Sequence, residues 1–349
     1  MTKASTYGPR LDLKAGRVDL SHGSGGRAMA QLIDTLFKEA FANPLLAQGN
    51  DQAAFDVAAG RMVMTTDGYV ISPLFFPGGD IGSLAVHGTI NDVAMAGARP
   101  LYLSAAFVIE EGFPLADLKR IADSMGRASR DAGVPVVTGD TKVVEKGKAD
   151  GVFITTAGVG VVPAGIELSG DRARPGDAIL VSGTLGDHGV AVMSRRENLT
   201  FETDVVSDSA ALHTLVADMV TAAGPAIRCM RDPTRGGLAA TLNELATQSG
   251  VGIRIREANI PVRPEVEAAC ELLGLDPLFV ANEGKLLAIV AGDRAEQALA
   301  IMRRHPQGAG SAIIGEVAAE KPGKVFIRTA IGGRRAVEML AGEQLPRIC

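Results

Sequence analysis

Strand-like and helix-like blocks alternate twice along this chain, and that double alternation limits the fold more than any other feature of the sequence. Strand periodicity occupies residues 62–66, 101–109, 134–138 and 152–162, with helix-length blocks at 81–97 and 114–132 between them. A polar stretch bearing Pro175 and Gly176 covers 169–176, and a second series then begins. Its strands fall at 178–182, 252–256, 286–290, 312–317 and 324–327, and its helices at 187–196, 209–222, 237–248, 263–273 and 294–303. Strands and helices in this rhythm pack as layers around a shared core, here with some antiparallel pairing. A chain of 349 residues is long enough for two such units. We therefore expect an arm with a helix over 1–44, a first domain over 45–168, a second over 169–335 and a mobile tail over 336–349.

Charge and composition narrow the partners. The formal charge is −5, so no basic field points to nucleic acid or an anionic membrane surface. Trp is absent and Tyr scarce, which argues against an aromatic platform for stacking bases. No run of about 18 apolar residues occurs, and residues 1–10 lack the apolar stretch of a signal peptide, so a cytoplasmic protein is expected. Cys229 and Cys270 lie in apolar segments as buried, reduced thiols, and no Cys/His cluster has zinc spacing.

Three features carry chemistry. The run Ser21-His22-Gly23-Ser24-Gly25-Gly26 opens a helix expected over 27–42, and such a turn exposes N–H groups to an anion, although a flexible hinge reads equally well. Asp51, Asp67, Asp92 and Asp140 sit at expected strand ends or loop starts, with Asp232 as a fifth candidate. Each alone is an ordinary turn residue. Together they supply the hard oxygens that hold Mg²⁺ against a triphosphate, since Mg²⁺ shares its octahedron between protein, water and phosphate. The sequence ends in Pro346-Arg347-Ile348-Cys349, placing a thiol on a tether beside a positive charge.

The segments His22 to Gly26, Thr65-Thr66-Asp67 onward to Gly82, Asn91-Asp92-Val93-Ala94-Met95-Ala96-Gly97-Ala98, Thr138-Gly139-Asp140-Thr141-Lys142 and 231–238 resemble the aminoimidazole ribonucleotide synthetase (PurM-like) superfamily. Ser182 to Gly189, Asn282-Glu283-Gly284-Lys285 and the terminal cysteine resemble its hydrogenase-maturation branch, the carbamoyl dehydratases. The resemblance covers essentially the whole chain. It departs from the superfamily at Asn50, where many members carry a second Asp. It implies an α/β (α+β) PurM-like architecture: an N-terminal mixed-sheet domain for dimerisation and ATP binding, a C-terminal α/β domain, and a mobile tail. It also implies a homodimer, ATP and Mg²⁺, a carbamoyl group loaded onto Cys349 by a HypF-type carbamoyltransferase, and delivery of cyanide to a HypC–HypD complex for the iron of a [NiFe] hydrogenase. On this reading His22, Gly23, Gly25, Gly26, Asn91, Thr141 and Asp232 contact the nucleotide, and Asp51, Asp67, Asp92 and Asp140 the metal.

Dehydrating an S-carbamoyl group means expelling its oxygen, which becomes a good leaving group once phosphorylated by ATP. A base must take the amide proton, and Glu283, in a glycine-bearing loop before a strand, is the candidate. Lys142 follows Asp140 by two residues, so an extended backbone points both to one face, where the lysine can meet a phosphoryl group or Glu283. His22, His87 and His188 rank lower, because a lone loop histidine is more often a satisfied surface residue. Two other readings stay open: a small-molecule synthetase or kinase of the same superfamily, and a non-catalytic cyanide carrier.

Overall fold

The computed structural model describes residues 11–24, 26–48, 50, 52–57, 60–197, 205–339 and 347–349. An arm comes first, in which α1 (Arg27–Leu32) passes through a π-helical turn at Ile33–Phe37 into α2 (Lys38–Ala40). The helix expected over 27–42 is thus interrupted by one wide turn. There follow β1 (Arg61–Tyr69), the short pair β2 (Phe75–Phe76) and β3 (Gly79–Asp80), α3 (Ile81–Met95), β4 (Arg99–Glu110), α4 (Leu115–Ala132), β5 (Val136–Val144) and β6 (Val152–Val162). Four of these strands form a mixed sheet in the order β1-β6-β4-β5, antiparallel except between β4 and β5.

One face of this sheet is covered by helices. Leu103, Ala105, Phe107 and Ile109 alternate inward along β4 and join a core with Leu84 and Ile90 of α3 and Leu118, Ile121 and Met125 of α4. Burial of each large side chain there contributes about 1.5–3 kcal/mol. Helix α4 is amphipathic and stops at Gly133, whose φ of 67° is a left-handed position. Helix α3 is buried almost all round, because the first sheet, α4 and the second domain enclose it. Its start is fixed by a reciprocal cap: the Asp80 carboxylate accepts from Gly82 and Ser83 N–H at 2.8 and 3.1 Å, and Ser83 Oγ accepts from Asp80 N–H. Among the described residues no helix covers the opposite face of the sheet. Met62 and Met64 point from it, paired in register with Val161 and Val159, and Met64 is 73% exposed.

The second domain comprises β7 (Ala178–Val181), α5 (Asp187–Arg196), α6 (His213–Ala223), β8 (Ile227–Arg231), α7 (Gly237–Ser249), β9 (Gly252–Arg256), α8 (Pro264–Leu273), β10 (Leu287–Val290), α9 (Ala295–Arg304), β11 (Ala312–Ala318), β12 (Val325–Arg328) and β13 (Arg334–Val337). Its sheet runs β13-β12-β9-β11-β7-β10-β8, and only β9 and β12 are parallel. Every residue of β7 and β10 is buried, since these central strands have a core on each face. Strand β8 was not foreseen, because its five residues around Cys229 read as a generic apolar segment. The tail also begins later than expected: Ala336 and Val337 belong to β13. Cys229 and Cys270 are buried and unpaired as expected, and burial pushes their thiols up to about 12 and about 11. Among the described residues no helix is long and apolar enough to cross a membrane.

Candidate functional site

The two domains meet where Asn91, buried in α3, reaches into the second domain. Its amide donates to the carbonyls of Ala210 and Glu283 at 3.0 and 3.1 Å, and its oxygen accepts from Leu212 N–H at 2.8 Å. Asn91 therefore fixes the turn that carries Glu283. The same turn is held from a third side, because Glu283 N–H donates to Asp208 Oδ1 at 3.0 Å and Lys285 Nζ lies 3.2 Å from Asp208 Oδ2. Gly284 lets these segments touch, since a Cβ there would stand 1.7 Å from the Asp208 carbonyl oxygen.

Glu283 is 2% exposed, and its Oε1 is buried without a hydrogen-bond partner. Burial first, and then the negative charges of Asp232, Asp208, Asp67 and Asp92, push its carboxyl well above the usual range. Asp232, just beyond β8, is raised to about 7 by burial and by Asp92, against a smaller opposing effect of Arg231. Asp92 is raised by burial and by Asp67, while the hydroxyl of Thr65, donating to its Oδ2 at 2.8 Å, opposes the shift. Four carboxyl groups from β1, α3, the end of β8 and the turn before β10 thus press on one another with little positive charge among them. Asp92, Asp232 and Glu283 are all drawn toward their protonated forms, which an entering cation would oppose.

The residues at the end of the sequence lie against this region. Val70 N–H donates to the Cys349 carbonyl at 3.0 Å and Ser72 N–H to the Arg347 carbonyl at 3.1 Å, so the segment after β1 and the tail run side by side. His188 Nε2 donates to the Ile348 carbonyl at 2.8 Å, and its Nδ1 lies 2.8 Å from Ser207 Oγ. Arg196 spans the Ser72 and Arg347 carbonyls at 2.6 and 2.8 Å. Ile348 is 2% exposed, and the Arg347 guanidinium is paired with Asp150. Tyr69, next to Val70, is buried with its hydroxyl 3.3 Å from Thr89 Oγ1; burial, Asp67 and, more weakly, Glu283 raise its phenol. Tyr69, at the end of β1, thus stands between the tail's partner Val70 and the charges of Asp67 and Glu283.

Asp140 and Lys142 lie elsewhere. Strand β5 is longer than the sequence suggested and takes in 138–144, so both side chains project to one face, where Lys142 Nζ donates to Asp140 Oδ1 at 2.8 Å. Thr141 points the other way and is buried. Asp67 and Asp140 sit within strands rather than at their ends, and Asp92 within α3. Asp232 lies in the loop between β8 and α7, whose N-cap is Gly236. His22 and His188 are not surface residues: both are buried and hydrogen-bonded, His22 Nδ1 accepting from Asp19 N–H at 3.1 Å. His87 is only partly buried, and its Nδ1 lies 2.9 Å from Ser209 Oγ. The glycine-rich run packs on β5, where a Cβ at Gly23 would stand 2.5 Å from Val143 N, and Gly26 precedes α1. Gly25 and Asp51 lie outside the described residues. An apolar groove of about 160 Å³ separates the arm from β5, lined by Met29, Ile33, Phe37, Phe107, Asp140 and Thr141 among others.

Among the described residues no three His, Cys, Asp or Glu side chains converge closely enough to hold a metal ion by themselves. The donors still fit Mg²⁺, which is bound through one or two carboxylates when a triphosphate supplies the remaining oxygens. The orphaned oxygen of Glu283 and the raised Asp92 and Asp232 mark where negative charge is uncompensated. Asp208, Lys285 and Arg196 were missed as functional candidates, and His188, ranked low from the sequence, is the histidine that meets the tail. Lys285 and His188 stand inside motifs the sequence offered, whereas Asp208 and Arg196 carry no local signal.

Residues 49–162 match the family model of the AIR synthase related protein N-terminal domain, and 174–328 that of its C-terminal domain. The carbamoyl dehydratase HypE of Bradyrhizobium diazoefficiens is 69% identical over 343 residues, covering 98% of this chain and 99% of its own. A crystal structure of hydrogenase maturation protein HypE in complex with ATP superposes with a TM-score of 0.91 at 53% identity, over 95% of this chain and 99% of its own. HypE in a HypE–HypF complex gives 0.78 at 50% identity, over 88% and 99%. With two domain models matched in order and identity of this level over nearly the full length, the chain belongs to the HypE carbamoyl dehydratase family of AIR synthase-related proteins.

Proposed function

We propose that this protein dehydrates an S-carbamoyl group on its own Cys349 to a thiocyanate at the expense of ATP. The observation that carries the reading is the seating of the tail: its backbone is held by Val70, Ser72, His188 and Arg196 near the carboxyl cluster, in which Glu283 is buried and holds its proton strongly. Glu283, once deprotonated, takes one N–H proton as the amide oxygen attacks the γ-phosphorus and ADP leaves. Loss of the second N–H proton then breaks the C–O bond, phosphate departs, and the C≡N bond is complete. The sum is carbamoyl plus ATP giving thiocyanate, ADP, phosphate and a proton. Glu283 suits this base role because Asn91 and Asp208 fix its turn and its Oε1 has no competing partner.

Asp67, Asp92 and Asp232 are assigned to Mg²⁺, with Asp51 as a further ligand; Asp140, apart from them on β5, is assigned to a separate position along the phosphates. When bound, the metal neutralises phosphate charge. His22, Gly23, Gly25, Gly26 and Thr141 border the nucleotide, whose base fits the groove between arm and β5. Lys142, paired with Asp140 on β5 apart from Glu283, is assigned to the nucleotide's phosphates. The open sheet face around Met62 and Met64 supports a homodimer through the first domains. A HypF-type carbamoyltransferase loads the thiol, as a HypE relative's complex with HypF supports. A HypC–HypD complex takes the cyanide, in the cytoplasm.

The deciding experiment is intact-mass spectrometry of protein loaded by the carbamoyl-transfer system, before and after ATP-Mg²⁺. Gain of one carbamoyl group, then loss of one water, is expected, with neither change in Cys349→Ser. A loaded protein that kept its mass with ATP would leave only the carrier reading, and substrate-dependent ATP turnover surviving in Cys349→Ser would favour the small-molecule enzyme.

A further inference from the structure

Three arginines stand side by side across the second sheet. Arg256 on β9 is in register with Arg328 on β12, and Arg328 with Arg334 on β13. The neighbouring row shows what a satisfied arginine looks like there: Arg254 pairs with Glu316, directly opposite it on β11, and with Glu320. Arg256, Arg328 and Arg334 are exposed and pair with no carboxylate among the described residues. Arg334 instead lies 4.1 Å above the Phe326 ring, which fixes its plane. The row rims a concavity of about 330 Å³ that Gly332 and Gly333 keep open.

Like charges directly opposite one another on adjacent strands oppose folding. A solvated edge is an insufficient reason for them, since charged residues that blunt a sheet edge belong on the edge strand, and only Arg334 is there. Arg256 and Arg328 are on internal strands. In a chain of net charge −5 this is a local positive field, and it sits at the root of the tail: β13 ends at Val337, twelve residues before Cys349.

We propose that the Arg256–Arg328–Arg334 row is a docking surface for an acidic segment of a partner protein that comes to the tail. Carboxylates of such a segment would each meet a guanidinium fork, supplying the counter-charge that the sheet lacks. Bound there, the partner would sit within an extended tail's reach of about 40 Å from Val337. The inference rests on the reading of Cys349 as a group exchanged between proteins.

The test uses the full-length protein with two probes, the HypF-type carbamoyltransferase and the HypC–HypD complex, at about 50 and 300 mM salt. Arg256→Ser/Arg328→Ser/Arg334→Ser should weaken at least one association about tenfold or more and flatten its salt dependence. Its loaded tail should still lose water with ATP-Mg²⁺ at the unaltered rate. Arg328→Glu, which sets a carboxylate between two guanidiniums, should melt higher than the parent while also losing the partner. Both associations unchanged in affinity and salt dependence would overturn the proposal. So would displacement of the bound partner by an RNA octamer but not by an Asp/Glu-rich octapeptide. If the parent protein never loses water from a loaded Cys349, the reading of the active site fails, and the docking measurement still stands by itself.

Discussion

Glu283 combines the two properties a base for an unreactive amide needs, a strong affinity for protons and an unpartnered oxygen. We expect Glu283→Gln to accept the carbamoyl group normally and to lose dehydration by about 10²-fold or more, read as the loaded mass persisting with ATP-Mg²⁺. The carboxyls also tie stability to pH. Asp232, raised to about 7, and Glu283, held well above the usual carboxylate range, keep protons in the fold that an unfolded chain releases near its ordinary carboxylate values. The folded state then binds more protons than the unfolded one, so the contribution of Asp232 is complete below about pH 4 and is lost as pH rises through about 7, and Glu283 acts in the same direction. The unliganded protein's Tm should fall between about pH 5 and 8, and less steeply in Glu283→Gln/Asp232→Asn. Equal slopes would mean the two groups hold no extra protons. By the same logic, binding of ATP-Mg²⁺ should release protons, seen as a dependence of calorimetric heat on the buffer's ionisation enthalpy.

Helices and strands were legible in the sequence wherever apolar residues kept a period. Strand β5 was cut short there because Thr138, Gly139 and Asp140 look like a turn, yet parallel pairing with β4 carries the strand through them. That extension is what sets Asp140 and Lys142 on one face. Strand β8 was obscured because it is only five residues long, too short to tell strand from helix. Asp67, Asp92, Asp232 and Glu283 were individually visible, but their mutual pressure was not, since it arises from four elements distant in sequence. The tail's cradle was invisible for the same reason: His188 opens α5 and Arg196 closes it, and only the fold brings both to the residues after β1. Each bond to the tail contributes about 1 kcal/mol, so His188→Ala or Arg196→Ala should raise the alkylation rate of Cys349 about fivefold. An unchanged rate in both would show that the seated tail does not protect its thiol.

At the scale of the molecule, helices cover one side of the first sheet, and among the described residues none covers the other. Met64→Glu places a charge on the open side and should convert the proposed dimer to monomer in analytical ultracentrifugation, with little change in the monomer's Tm. A dimer that persisted would move the interface elsewhere. The pairing of 347–349 with the segment after β1 has a kinetic corollary. The reacting group is covalently attached to its catalyst, so its local concentration is set by chain geometry and survives dilution. Water loss from the loaded form should be first order, with one rate constant from nanomolar to micromolar protein and no saturation in the carbamoyl group. Throughput would then be governed by how often the thiol is recharged.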